Sequence, residues 1–430
     1  MRFREIQAKL QALTMEIEHY RPEPDAPERN DESIYWLRVL STSLGIWPEK
    51  FIGTNQNWWK RLYYFMIVMH WYNTYLQVEF FCNNFGELKT LTEGLCSFCS
   101  ISTTGIKIMR LHSYSDEIFE ILQTMKNHEI LRKICFLKKG KNKQIFENIE
   151  KIMQDKWKEV NINLRLYAFS VGIVASSYSV VPAIINLINL FQGNDIPKRF
   201  VYKTYYRYME EAKYHSPLHE LLFCSESLSG FTTWAGVVSF DGLYVLLTMH
   251  VVAMFSTLNL IIKDTTNVNF NDEESVFFLR ECIKHHTRAM KFMESINEIF
   301  SPILVVQLFT STSIICVIAF HTSANASERD SQTLVMIFYL IAAFYQLFLF
   351  CWYGQRVQNE SVELPNSVYE CDWYKRSKKF QSTMHIMFLD VQKTVDISAF
   401  NLCVMSLETY LTIVRTAASY FTALQTLTEE

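Results

Sequence analysis

Between Leu218 and Ile262 the sequence stays apolar with helical periodicity for some 45 residues. A single helix crosses a bilayer core in about 20 residues. A run twice that long is either one helix projecting beyond a membrane or two helices joined by a turn. Asp241-Gly242 is the one dipeptide in the run that favours a turn. The flanks keep their helical period through it, so the sequence predicts one long helix.

Other apolar runs fit the same frame. Trp58–Cys82, Leu88–Met109, Leu166–Phe191, Pro302–Phe320, Leu334–Tyr353 and a final run from Ile397 to Leu427 bring the expected spans to seven. Polar helical stretches separate them, over 110–160 and 263–295, with a further helix expected near Lys379 to Lys393. Before the first span, Ser33 to Trp47 reads as a short amphipathic helix ended by Pro48, lying in the membrane interface or re-entering it. Mean hydropathy is +0.03 with 49% hydrophobic residues, which suits a membrane domain joined to substantial polar helices. A net charge of −3 gives no reason to expect nucleic acid. The ten cysteines are scattered, mostly within apolar runs, where Cys acts as a small hydrophobe. They set no disulfide framework.

The expected fold class is therefore an all-α membrane protein with seven transmembrane helices and a cytosolic helical anchor region. The first residues alternate in charge and carry no apolar signal segment. With the N-terminus in the cytosol, 33 of the 41 Lys and Arg fall in cytosolic segments and seven outside, as the positive-inside rule requires. Seven spans then put the C-terminus outside, opposite to G-protein-coupled receptors. Asn325-Ala-Ser327 is a glycosylation sequon in a loop expected outside. The divisions are a cytosolic N-terminus with its interface helix (1–57), six spans with helical extensions (58–354), an anchor segment (355–395) and a last helix (396–430).

That last helix carries Thr409, Thr412, Thr416, Ser419, Ala423 and Thr426 at steps of three and four. Such steps keep residues on one helix face. A stripe of small polar residues fits a hydrated pore, and it equally fits close helix packing in lipid. Glu408 and Arg415 lie seven apart, too far along a helix to pair directly.

Taken in order, these residues resemble the insect odorant receptors over nearly the whole chain. WLRVLSTSLGIWP is similar to the amphipathic segment before that family's first span. Cys351-Trp-Tyr-Gly354 followed by Ser361, Tyr369 and Trp373 resembles the stretch after its sixth span. SLETYLTIVRTAASYFTALQTL resembles its final helix. The resemblance implies an odorant-gated, non-selective cation channel in the plasma membrane of olfactory sensory neurons. It implies a heterotetramer, in which an odorant-specific subunit joins a shared co-receptor around one axis, and the final helix lines the pore. Gustatory relatives end with Thr-Tyr, five apolar residues and Gln-Phe. Here Thr409-Tyr410 is followed by LTIVR and Thr416-Ala417. The co-receptor's long insertion in the second cytosolic loop is also missing, so the resemblance points to a tuning subunit. The glycine often found before the family's final helix is absent around Asp396 to Phe400. A gustatory-type channel and a seven-helix G-protein-coupled receptor are the alternatives. The missing Gln-Phe disfavours the first and the charge distribution the second.

On that resemblance, alignment of Tyr420-Phe421 places the family's narrow gate at Ala423, Thr426 and Leu427, and Thr416 and Ser419 of the stripe are pore candidates with them. The odorant pocket is expected in the outer half of the second, third, fourth and sixth spans. Leu91, Cys96, Ser176, Ser179, Phe223, Ser227, Phe338, Ile341 and Tyr345 are its candidates, apolar with a few polar groups as ligand pockets are. Glu226 either bonds a polar odorant, forms an ion pair or faces an external vestibule. Lys133 to Lys143 form a basic stretch suited to anionic membrane lipid or to solvent. Cys282, His285 and His286 share one helix turn, but a structural zinc takes about four ligands and no second cluster exists in the sequence. No metal, cofactor or catalytic arrangement is expected.

Overall fold

A computed structural model of the chain describes residues 31–47, 56–85, 88–126, 143–193, 196–209, 211–264, 272–324, 331–400 and 402–429. The helices are α1 (Asp31–Ser43), α2 (Gln56–Asn83), α3 (Leu88–Ser113), α4 (Ser115–Lys126), α5 (Lys143–Gln192), α6 (Leu218–Asp264), α7 (Asp272–Ala324), α8 (Ser331–Glu370), α9 (Lys378–Val391) and α10 (Leu407–Glu429). A two-residue antiparallel ladder, β1 (Ser398–Ala399) with β2 (Cys403–Val404), precedes α10. Helices α5 to α8 are long and apolar enough to cross a membrane by length and composition. Together with α2, α3 and α10 they are the seven expected spans.

Helix α6 is unbroken through Asp241 and Gly242, and it forms the centre of the bundle. Its apolar residues run right round the helix, and most are buried from Ala235 to Ile262. A helix apolar on all sides belongs inside a bundle. Gly242 does not turn the chain. It admits Leu37 of α1, whose methyl occupies the space a β-carbon would need. Thus α1 lies against α6 through Leu37, Leu40 and Leu44, with Tyr35, Trp36 and Val39 outward. It ends where Gly45 takes φ 71° and the Ile46 amide returns to the Ser41 carbonyl at 3.0 Å, a left-handed helix cap.

Among the described residues, the polar stretches are carried by the separate short helix α4 and by continuations of the spans. Helix α5 runs 50 residues and α7 runs 53. Their extensions bury apolar residues such as Ile149, Val160, Leu279 and Ile296, and polar pairs add to that packing. Arg356 meets Glu159, and Lys156 Nζ lies 3.2 Å from Glu360. Asn259 donates to the Glu360 carbonyl at 3.0 Å. His286 Nδ1 lies 3.0 Å from Asp390 of α9, the helix expected near Lys379 to Lys393.

One boundary moves. The last helix begins at Leu407, not near Ile397. Residues before it form the β1–β2 hairpin, closed by Met405 N to the Ile397 carbonyl at 2.8 Å. Phe400 takes φ 51° at its tip, a left-handed conformation that glycine adopts without cost. Ser406 then caps α10, its hydroxyl accepting from Thr409 N at 3.2 Å. Asn325 lies outside the described residues, as does the basic stretch from Lys133 except its last residue, Lys143, which opens α5.

Candidate functional site

A cavity of about 100 Å³ opens between α3, α5, α6, α7 and α8. Its walls are helix faces whose residues recur at helical steps of one, three and four. Helix α3 presents Ser100, Thr103, Thr104 and Lys107. Helix α6 presents Gly230, Thr233, Trp234 and Val237, and α8 presents Tyr339, Ala342, Ala343 and Gln346. From α5 come Tyr167, Val171, Val174 and Tyr178, and from α7 Gln307, Thr310 and Ile314. Residues at such spacing share one side of a helix. The lining is mostly apolar and aromatic, with hydroxyls largely spent on their own helices. Thr104, Thr233 and Thr310 each donate to a carbonyl one turn back.

The floor is charged. Lys107 Nζ lies 2.6 Å from Asp241 Oδ1, both side chains buried. The other carboxylate oxygen accepts from Gln346 Nε2 at 2.6 Å and from the Tyr167 hydroxyl. Gln307 donates to Gln346 at 3.1 Å. The Lys107 ammonium also sits 5.3 Å and 5.5 Å from the Phe240 and Phe350 ring centres. A charge in so dry a place persists only when paired and hydrogen-bonded, and Asp241 has three donors.

The roof is the segment after α5. Glu226 of α6 is fully buried and gathers that segment onto the bundle. Its carboxylate accepts from Val201 N at 2.8 Å, Tyr202 N at 3.2 Å, Thr204 Oγ1 at 2.7 Å and the Tyr206 hydroxyl at 2.9 Å. Glu226 therefore faces neither a vestibule nor the cavity. The Arg199 amide donates to Asn186 at 2.7 Å and the Tyr205 amide to the Leu76 carbonyl at 3.2 Å, fixing the same segment from two sides. Tyr202 alone reaches the cavity from above.

The nine residues expected in the pocket stand on the expected helices, but none lines this cavity. Ser176, Ser179, Phe338, Ile341 and Tyr345 are each one position from a lining residue. One position is about 100° of helix rotation, enough to turn a side chain off the cavity wall. Phe338 and Ile341 are 52% and 58% exposed on the outside of α8 and are corrected to that surface. Ser176 is exposed and donates to the Gly172 carbonyl at 2.7 Å. Tyr345 stands beside Tyr167, with ring centres 6.2 Å apart. Cys96 is buried behind the wall, and its carbonyl accepts from Tyr339. Leu91 is half-buried near the start of α3. Phe223 packs on His219, and Ser227 is half-buried on α6 one turn before Gly230. Sequence reasoning missed the Lys107–Asp241 pair and Tyr202, whose partners lie far away along the chain.

Helix α8 joins the cavity to the last helix. Its next turns beyond Gln346 carry Phe348, which meets Tyr410 with ring centres 5.9 Å apart. Gln355 accepts from Leu407 N at 3.3 Å, and Gly354 packs on Met405. The hairpin is held from α7 as well. Asn297 donates to the Asp396 carbonyl at 3.0 Å, and Ser301 Oγ accepts from Phe400 N at 2.6 Å.

Helix α10 touches the bundle through Ile413 and Ala417, both buried. The expected pore residues stand on the other side. Ser419, Ala423 and Thr426 are exposed and Thr416 is half-buried, while the Leu427 side chain lies outside the described residues. Thr416 and Thr426 donate to carbonyls of their own helix, at 2.8 Å and 2.9 Å. Glu408 and Arg415 are also exposed, and neither forms an ion pair among the described residues.

Comparison with known proteins gives a consistent result. The model of the family described as 7tm Odorant receptor matches residues 87–418. Odorant receptor 63a of Drosophila melanogaster is 28% identical over 328 residues, covering 73% of this chain and 76% of that protein. An odorant receptor coreceptor of Aedes aegypti matches at 26% identity over 37% of this chain and 34% of its own length. Among solved structures, the insect olfactory receptor OR5 of Machilis hrabei, in complex with eugenol, superposes with a TM-score of 0.73 at 16% identity. The match covers 92% of this chain and all of that one.

Proposed function

The chain belongs to the 7tm odorant receptor family, a multi-pass membrane protein, and on that premise we propose that it is the odorant-specific subunit of a ligand-gated cation channel. A small volatile occupies the cavity between α3, α5, α6, α7 and α8, as eugenol occupies a site in the Machilis hrabei receptor. The observation that carries the proposal is the double role of α8. Residues Tyr339 to Gln346 wall the cavity, and Phe348 to Gln355 clasp the start of the last helix. These sections are adjacent turns, so a displacement of the wall by a ligand is passed to α10 within about 12 Å of rigid helix. Packed elements answer such shifts by moving between discrete arrangements.

The exposed stripe of α10 faces the ion path of an assembly of four, completed by a shared co-receptor. Apolar side chains stand bare where subunits would meet. Leu402 and Leu389 are 74% and 70% exposed, with Phe400 and Ile386 alongside. The N-terminus is cytosolic and the C-terminus extracellular, in the plasma membrane of olfactory sensory neurons.

The test is whole-cell recording from cells expressing the chain with a co-receptor, challenged with a panel of volatiles. A current that needs both chains and is lost when Ala343→Trp fills the cavity, with surface expression intact, supports the proposal. A full response from Ala343→Trp would remove the cavity from the mechanism.

A further inference from the structure

Each charged group around the cavity has its partner within the protein, Lys107 with Asp241. Asp241 is saturated by Lys107, Gln346 and Tyr167. Glu226 is saturated by four donors in the roof. An amine ligand would find no anion to receive it, and a carboxylate would find no cation. Burying either without a partner is strongly unfavourable.

Two phenol protons remain. The Tyr202 hydroxyl donates to no partner among the described residues, and it lies in the lining. The Tyr178 hydroxyl reaches only the Met336 sulfur at 4.0 Å, a weak acceptor. The two rings are neighbours, with centres 6.0 Å apart. The third phenol there, Tyr339, is already committed to Ser100 and to the Cys96 carbonyl. The unspent capacity at this end of the cavity is therefore for donating hydrogen bonds to a neutral molecule.

Tyr202 is placed there by construction. Its amide is held by Glu226. Its hydroxyl comes so near Gly230 that a β-carbon on that residue would be 2.8 Å away. A glycine where a ring enters and a buried carboxylate that fixes the ring's backbone are two separate supports for one position.

We infer that the cavity selects compact neutral volatiles bearing one hydrogen-bond-accepting oxygen, such as a ketone, aldehyde or ester, with Tyr202 as the donor and Glu226 as its positioning residue. The inference rests on the ligand-cavity reading. The ligand's apolar body lies toward Val171, Val237 and Ala343, and its oxygen lies under the roof between Tyr178 and Tyr202. Replacing a C=O by an isosteric C=CH₂ removes the acceptor and leaves the shape. The loss of one neutral hydrogen bond corresponds to roughly a fivefold to tenfold loss of potency.

The experiment uses the full chain with a co-receptor and two isosteric pairs: acetophenone against α-methylstyrene, and cyclohexanone against methylenecyclohexane. Concentration–response curves in the unsubstituted receptor are expected to favour each ketone about fivefold to tenfold. Tyr202→Phe is expected to bring each pair within about twofold, by weakening the ketone and leaving the alkene unchanged. Gly230→Ala, which displaces the hydroxyl, and Glu226→Gln, which sets an amide against the backbone donors, are expected to compress the ketone-to-alkene ratio in the same way. A purely structural role for either would lower both members of a pair together. Equal potencies within the pairs, a ratio unchanged in Tyr202→Phe, or silence toward both ketones from a surface-expressed receptor overturns the inference. Responses that survive Ala343→Trp overturn the ligand-cavity reading instead, whatever the ratios.

Discussion

A β-carbon at Gly354 would come within 2.7 Å of the Met405 β-carbon, so α8 and the hairpin before α10 meet where only a hydrogen atom fits. Gly354→Ala must push the two elements apart. Overpacking of this kind costs about 1–3 kcal/mol, and here the strain falls on the joint between cavity wall and last helix. The expected outcome is a reduced maximal current at normal potency, with surface labelling near normal. Wild-type maximal current from Gly354→Ala would show that the joint does not limit opening.

The Lys107–Asp241 pair gives a stability prediction. Lys107→Met leaves a buried carboxylate with two neutral donors, and breaking such a pair costs about 3 kcal/mol or more. Thermal unfolding of detergent-solubilised protein should shift down sharply in Lys107→Met and in Asp241→Leu. The double variant should recover most of the loss, because no buried charge is left unmatched. Additive losses in the double variant would mean that the charges act independently.

Asp396 gives a pH dependence. Burial raises its carboxyl above the ordinary range, and a hydrogen bond from Gln358 partly offsets this. A folded-state pKa above the unfolded value means that the folded chain binds more proton between the two. The group's contribution is therefore most favourable below the unfolded value and is lost as pH rises through the folded one. Asp396→Asn should raise the unfolding temperature at pH 7 relative to the unsubstituted chain, with the gap closing toward pH 4. A gap that widens in acid would reverse the sign.

For the last helix, Thr426→Lys places a cation on the exposed stripe, and like charges in a narrow passage repel strongly. Recorded with the co-receptor, it should alter cation permeability ratios at normal surface expression. Ala417, buried against the bundle, supplies the contrast: Ala417→Phe should impair assembly or surface expression instead. If ratios stay fixed in well-expressed Ala423 and Thr426 variants, the stripe serves packing.

Orientation is tested by epitope tags in intact cells. A tag before Met1 should be hidden and one after Glu430 accessible, as the distribution of Lys and Arg requires. Reversed labelling would remove the channel reading along with the topology.

The helices were legible in the sequence because bilayer length and helical period leave little choice of element. The unbroken α6 is the clearest case: its period continues through Asp241-Gly242. The rotation of each helix was not legible. Helix α6 is apolar on all sides, and α8 offers Phe338, Tyr339, Ile341, Ala342 and Tyr345 in succession, so no polar edge marks which face turns inward. A choice by residue chemistry alone then falls one position off. Lys107 and Asp241 were hidden for a different reason. They lie 134 residues apart, and each reads alone as a loop charge or a turn signal. The sequence marked Glu226 as unusual, but its partners come from a connecting segment whose return path only the fold defines. On α10 the stripe's helical phase was plain, and the hairpin before it was not, because Phe400 adopts a backbone conformation its side chain does not advertise.

The cavity walls have a consequence for how such a receptor diversifies. Val171, Val237, Ile314 and Ala343 stand on four different helices, and each presents one side chain to the same small space. Substitutions that share a cavity couple through it, by about 0.5–3 kcal/mol. A lineage can therefore retune this chain from any of four walls, each change altering what fits and what the facing walls then tolerate. The floor has no such freedom. Lys107, Asp241, Tyr167, Gln346 and Gln307 share one set of protons, so a change in any of them strands another. Drift should accumulate in the walls while the floor changes rarely and in concert, and paralogues of this receptor should differ in what they detect long before they differ in how the bundle is braced.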